Sequence, residues 1–119
     1  MSCDLAVWHS KKRLTDAEAL EIYHALCDGD TADVEPHPSV PAFLSELNLH
    51  YPDIDTIPDA QIDSSPWSVG FDASDAHVLM CIVWSRAAEL VTFIERLAEK
   101  HRLVCFDPQN SVILTQTFS

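Results

Sequence analysis

Six consecutive apolar residues, Val78-Leu79-Met80-Cys81-Ile82-Val83, constrain this chain more than any other stretch. A run of that length, rich in β-branched residues, fits a strand in the middle of a sheet, where both faces and both edges are covered. Ser74-Asp75-Ala76 precedes it as a hairpin loop, so Trp67 to Ala73 is expected to be its partner and His77 to Trp84 the full extent of the strand. Asp4-Leu5-Ala6-Val7-Trp8 reads as a first strand buried on both faces. Leu103-Val104-Cys105-Phe106 reads as the last main strand. After the turn Asp107-Pro108-Gln109-Asn110, Val112-Ile113-Leu114 forms a short return strand or edge.

Three segments carry a helical period instead. Thr15-Asp16-Ala17-Glu18 has the capping-box spacing, in which the threonine accepts from the third backbone N–H and the glutamate reaches back. The helix it opens keeps Leu20, Tyr23 and Cys27 on one stripe, and Gly29 is placed to end it in the left-handed conformation. A second helix starts with Ser39 as N-cap and Pro41 in its first turn, carries Val40, Phe43, Leu44 and Leu47 inward, and stops at Pro52. Ser85 is expected to cap the third, whose Leu90, Val91, Ile94 and Leu97 repeat cleanly and whose end is basic. Residues 30–38 and 52–66 are left as Asp- and Pro-rich loops.

The order is therefore β-α-α-β-β-α-β. This predicts an α+β fold in one domain spanning residues 1–119, a ferredoxin-like split βαβ arrangement with one extra helix. Its sheet is expected to be antiparallel or mixed and covered on one face by helices, with Trp8, Trp67 or Trp84 on the other.

At 119 residues and 47% hydrophobic the chain can bury one core unaided. It shows no signal-peptide pattern and no run of membrane-spanning length, so a cytoplasmic location is expected. Cys3, Cys27, Cys81 and Cys105 form no CxxC pair and read as reduced thiols. With Gly29 and Gly70 the only glycines, there is no phosphate-binding loop, and no GxSxG or HExxH signature is present. Enzymatic activity has no support in these residues, and no cofactor is expected. The six histidines are not spaced as metal ligands, and Asp53, Asp55, Asp59 and Asp63 lack the glycine and glutamate of a calcium loop, so no metal site is expected.

Charge carries the functional information. All seven bases lie in two clusters, Lys11 to Arg13 and Arg86 to Arg102, leaving residues 14–85 with fourteen acids and none. That segment is formally −14 while the remainder sums to +2, giving the net −12. Such a field repels nucleic acid and anionic membrane and attracts basic proteins. The competing reading is a solvated surface that keeps the protein soluble.

Met1-Ser2 followed by Asp4-Leu5-Ala6-Val7-Trp8, then Ser65-Pro66-Trp67-Ser68, then Leu103 to Gln109, resemble a group of small bacterial proteins of unassigned activity with SxDLAVW, SPW and LVCFDPQ-like motifs. Arg102 stands where the group's glycine is expected before Leu103, so the chain reversal there departs from the pattern. By analogy, small acidic proteins of this kind look like immunity proteins of toxin systems. The expected function is an acidic binding module that neutralises a basic, nucleic-acid-acting toxin domain, with Asp53, Asp55, Asp59, Asp63 and Trp67 as partner contacts. One alternative is a small ligand-binding or catalytic domain with Trp84, His77 or Cys81 lining its pocket. The other is a structural homo-oligomer paired through an edge strand near Val112.

Overall fold

In the computed structural model, residues 2–116 are described. Met1, part of the first resemblance motif, lies outside them. The strands are β1 (Ser2–Trp8), β2 (Asp72–Ala73), β3 (His77–Val83), β4 (Val104–Asp107) and β5 (Val112–Thr115). The helices are α1 (Asp16–Cys27), α2 (Ser39–His50) and α3 (Ala87–Lys100). One sheet forms in the order β2-β3-β1-β4-β5, with every neighbouring pair antiparallel.

The apolar run takes the inner position expected of it. β3 pairs along its whole length with β1, from Trp8 opposite His77 to Ser2 opposite Val83, and with β2 on its other edge. Because side chains alternate along a strand, the two faces of β1 enter different cores. Cys3, Leu5 and Val7 join Val78, Met80 and Ile82 beneath α2 and α3, where Phe43, Leu47, Leu90 and Ile94 meet them. Ala6 and Trp8 join Val104 and Phe106 beneath α1, with Ala19 and Leu26.

This corrects the expected fold. The α+β class, the antiparallel sheet and the return strand at Val112–Thr115 are as expected, but the helices do not share one face: α1 covers one side of the sheet and α2 with α3 the other. The physical reason is that β1, β3 and β4 bury apolar residues on both sides, and a strand apolar on both sides requires cover on both. The split βαβ arrangement, with its helices all on one side, would leave Trp8 and Phe106 bare.

Local signals were read more reliably than element ends. Thr15 Oγ1 accepts the Glu18 N–H at 3.1 Å and Glu18 Oε1 accepts the Thr15 N–H at 3.0 Å, closing the capping box. Gly29 ends the helix at φ 81°. Ser39 does not cap α2. Its N–H instead donates to His37 Nδ1 at 3.1 Å. Ser85 does not cap α3 either, since a single 3-10 turn over Trp84–Arg86 precedes it. Of the expected strand from Trp67, only Asp72–Ala73 pairs continuously, with one isolated bridge between Trp67 and Ile82. Arg102 takes φ 59°, the left-handed conformation for which glycine is suited, so the reversal before β4 keeps its shape at the cost of strain.

Two glutamines complete the backbone pairing where strands run out. β1 pairs with β4 only over Ala6 to Trp8. Further along, Gln109 Oε1 accepts the Asp4 N–H at 2.5 Å and Gln109 Nε2 donates to Asp4 O at 2.8 Å, so one side-chain amide replaces a strand residue. Gln116 does the same for the N–H and C=O of Leu14, both at 2.9 Å. Backbone polar groups that would otherwise lack partners are satisfied this way.

Candidate functional site

The acid-rich stretch between α2 and β2 is shaped by short-range bonds. Asn48 Oδ1 accepts the Asp53 N–H at 3.0 Å, and Asp53 Oδ1 accepts the Asp55 N–H at 3.1 Å, capping a 3-10 turn over Ile54–Thr56. A second 3-10 segment runs over Asp59–Ser64. The loop thus has local structure that its composition did not announce, because single 3-10 turns need only a cap and no apolar period.

Trp67 fastens the end of this stretch to the core. It is 1% exposed, its indole N–H donates to Tyr51 O at 2.9 Å, and Phe71 meets its ring edge-on with centroids 4.7 Å apart. A side chain so enclosed cannot reach a partner on the folded surface. Trp67 is therefore removed from the contact set, its aromatic bulk being used for packing. Gly70 is bare for a related reason: a Cβ there would run into the Asp55 carboxylate.

Asp55, Asp59 and Asp63 are exposed and Asp53 half-buried, and none forms an ion pair among the described residues. The cation standing closest in the fold is already engaged. Arg86 forms a two-bond pair with Glu89, both bonds at 2.8 Å, and Tyr51 donates to the same carboxylate at 3.1 Å. Those bonds, Arg86's first and Tyr51's second, hold the Glu89 carboxyl down at about 2. Arg86 also donates to Ser64 O at 3.4 Å, tying the acidic loop to the start of α3.

Beside the acids the surface is mixed in character. A groove of about 490 Å³ between the loop and the end of β3 is lined by Ile54, Ile62, Trp67 and Val83 together with Asp63, Arg86 and four serines. Trp84, which follows Val83, is 56% exposed, and Ile62 is exposed as well. The sequence offered Trp67 as a partner contact and Trp84 only as a pocket-lining residue. Trp84 follows directly on a buried strand, and nothing local shows that the 3-10 turn at this point carries the ring outward.

The remaining acids of the base-free segment do not all gather here. Glu35 pairs with Lys11 at 2.8 Å, Glu18 with Lys12 at 3.4 Å and Glu46 with Lys100 at 2.9 Å. Glu18, Glu21 and Asp28 belong to or adjoin α1, on the opposite face of the sheet from α2 and α3. Pairing therefore withdraws Glu35 and Glu46 from residues 28–75, while Asp28, Asp30, Asp33 and Asp75 stay exposed and unpaired among the described residues, and the acids from Asp53 to Asp63 stay unpaired too.

The residues named for a ligand pocket are not brought together. His77 is buried, with Nδ1 at 2.6 Å from Ser74 Oγ inside the hairpin, and Trp84 is on the open surface. Burial, followed by a bond to Asp4, pushes the Cys81 thiol up to about 12, which removes thiolate character at neutral pH. The main clefts are lined by other residues. Among the described residues there is no group of three or more side chains placed to hold a metal ion, and no helix long and apolar enough to cross a membrane. Comparison with family models, curated proteins and solved structures gives no match.

Proposed function

We propose that this domain is an acidic protein-binding module that neutralises a basic partner, in the manner of an immunity protein covering the cationic cleft of a toxin domain that acts on nucleic acid. The observation that carries the reading is that Asp53, Asp55, Asp59 and Asp63 form no ion pair among the described residues, while the exposed ring of Trp84 follows Val83, which shares a groove with Asp63. Unmatched charge speeds encounter with an oppositely charged surface, and a desolvated aromatic at the centre slows dissociation. Trp84 takes the anchoring role that the sequence assigned to Trp67. The resemblance to small acidic bacterial proteins points the same way.

Capture from the source cell with the wild-type chain, followed by association kinetics, tests this. The fourfold Asp53→Asn, Asp55→Asn, Asp59→Asn, Asp63→Asn variant should associate at least about tenfold more slowly at low salt, with a flatter salt dependence. Trp84→Ala should instead raise the dissociation rate, by about 2 kcal/mol in binding free energy. Identical kinetics for all three chains would discard the reading.

A further inference from the structure

The β2–β3 hairpin gathers three polar side chains that take no part in the acidic loop. Asp72 pairs with Leu79 across the ladder and the Ser74 N–H donates to His77 O at 2.9 Å, so Asp72, Ser74 and His77 lie on one face of the sheet. His77 is 4% exposed, whereas Asp72 and Ser74 are both exposed. Ser74 Oγ stands 2.6 Å from His77 Nδ1 and accepts the Ala76 N–H at 3.0 Å. With its oxygen accepting from Ala76, the hydroxyl donates its proton to Nδ1, and the ring proton belongs on Nε2. That nitrogen is buried without a hydrogen-bond partner among the described residues, and the Asp72 carboxylate lies 3.6 Å from it.

Holding the turn accounts for only part of this arrangement. The bond from Ala76 to Ser74 closes the loop by itself, whereas burying an imidazole with one nitrogen unmet costs free energy. What the imidazole adds is a base in contact with the hydroxyl of an exposed serine, with a carboxylate behind it. Hydroxyl, imidazole and carboxylate in that order are what activate a serine nucleophile. The two ring nitrogens exchange their usual roles here, Nδ1 facing the serine and Nε2 the carboxylate. We propose that Ser74 is a nucleophile for acyl transfer from small activated esters, with His77 as its general base and Asp72 as a positioning residue. The Ser74 oxygen bonds the acyl carbon, its proton passes to His77 Nδ1, and His77 returns that proton to the departing alcohol; water then cleaves the acyl-serine with the same base. Asp72, Ser74 and Asp75 are all exposed, so the site is open to small donors, and its two carboxylates disfavour anionic ones. The other titratable residue at the hairpin tip is His37, whose backbone N–H donates to Asp75 O at 3.2 Å.

A fluorophosphonate ester and p-nitrophenyl acetate, each added to the intact chain, provide the test. The fluorophosphonate should modify Ser74 ahead of every other serine, with loss of fluoride, as read by peptide mass mapping. Nitrophenolate release should accompany acetylation of Ser74, at a rate that rises with pH as an imidazole loses its proton. Ser74→Ala should reduce both reactions to the level of the remaining hydroxyls, and His77→Gln should slow acylation at least about a hundredfold. His77 is buried, so a folding defect in that variant would mimic the loss. Asp72→Asn, at an exposed position, is the second probe: it should lower the rate and move its rise to lower pH, because the imidazolium loses its carboxylate. A carboxylate with a merely structural role would leave that profile in place. Ser74 no more reactive than the other serines, or an Asp72→Asn profile that superimposes on the wild type, overturns the proposal. These readouts do not involve the acidic loop, so acyl transfer and partner binding stand or fall separately.

Discussion

Residues 30–38 and 52–66 have nearly the same composition of aspartate and proline, yet the fold treats them differently. The first is stitched down. Val34 is buried, Glu35 pairs with Lys11, the His37 N–H donates to Asp75 O at 3.2 Å, and the His37 ring stacks on His9 with centroids 3.8 Å apart and planes 6° from parallel. The second is fastened at its end by Trp67 and tied by Arg86, but its four aspartates keep their charge unmatched among the described residues. For Glu35 the difference lies in what tertiary structure brings alongside, whereas Asp30 and Asp33 of the same loop form no ion pair among the described residues. The basic exit of β1 faces the first loop, whereas the cation near the second is already committed to Glu89. Acid counts along a chain therefore overstate the field available to a partner, because any acid that meets a cation in the fold is withdrawn from it.

The strongest way to break this comparison is to remove the anchor of the second loop. Trp67→Ala should destabilise the domain by about 3–5 kcal/mol, while Trp84→Ala, at an exposed position, should stay within about 0.5 kcal/mol. Denaturant melts of both variants check this, and equal losses would mean that the two rings do not differ in role. A smaller effect concerns the first loop. Burial, followed by the charges of His37 and Lys11, lowers the His9 pKa against a weaker opposing pull from Glu35, so the folded state disfavours its protonation. Stability should be full above about pH 6.5, where the unfolded imidazole is neutral too, and should decline as pH falls below it while the unfolded chain takes up the proton. Thermal melts at pH 7 and pH 5.5 should show the decline in the wild type and less of it in His9→Gln. The smallest effect separates matched from unmatched acids. Lys11→Ala should leave stability nearly unchanged, because the Lys11–Glu35 pair is exposed, and the fourfold asparagine variant should be neutral or slightly stabilising at low salt. A large loss in the latter would show that those aspartates hold the fold together, contrary to their lack of partners.

Much of the fold was legible where a signal is local. The capping box at Thr15 and Glu18 and the glycine terminator at Gly29 depend on neighbours within a few residues, and both formed as read. Failures came where a distant partner decided the outcome. Ser39 and Ser85 are good N-cap residue types, but His37 supplies an acceptor at one site and a 3-10 turn intervenes at the other. The segment after Trp67 has strand-like composition, yet it meets β3 continuously only at Asp72–Ala73. For the candidate contacts, the sequence did not show that Trp67 is enclosed, since its burial follows from its place beside β3, where it bridges to Ile82.

By itself the sequence determined the element types and their order, the inner place of the Val78–Val83 run, and the segregation of charge. Each of these follows from covalent neighbours and from the burial that an apolar run demands. Only the tertiary structure decided that helices cover both faces of the sheet, which acids remain unmatched, and which tryptophan is exposed. Those outcomes depend on distances between residues far apart in the chain, and such distances are fixed only when the two cores close around β1 and β3.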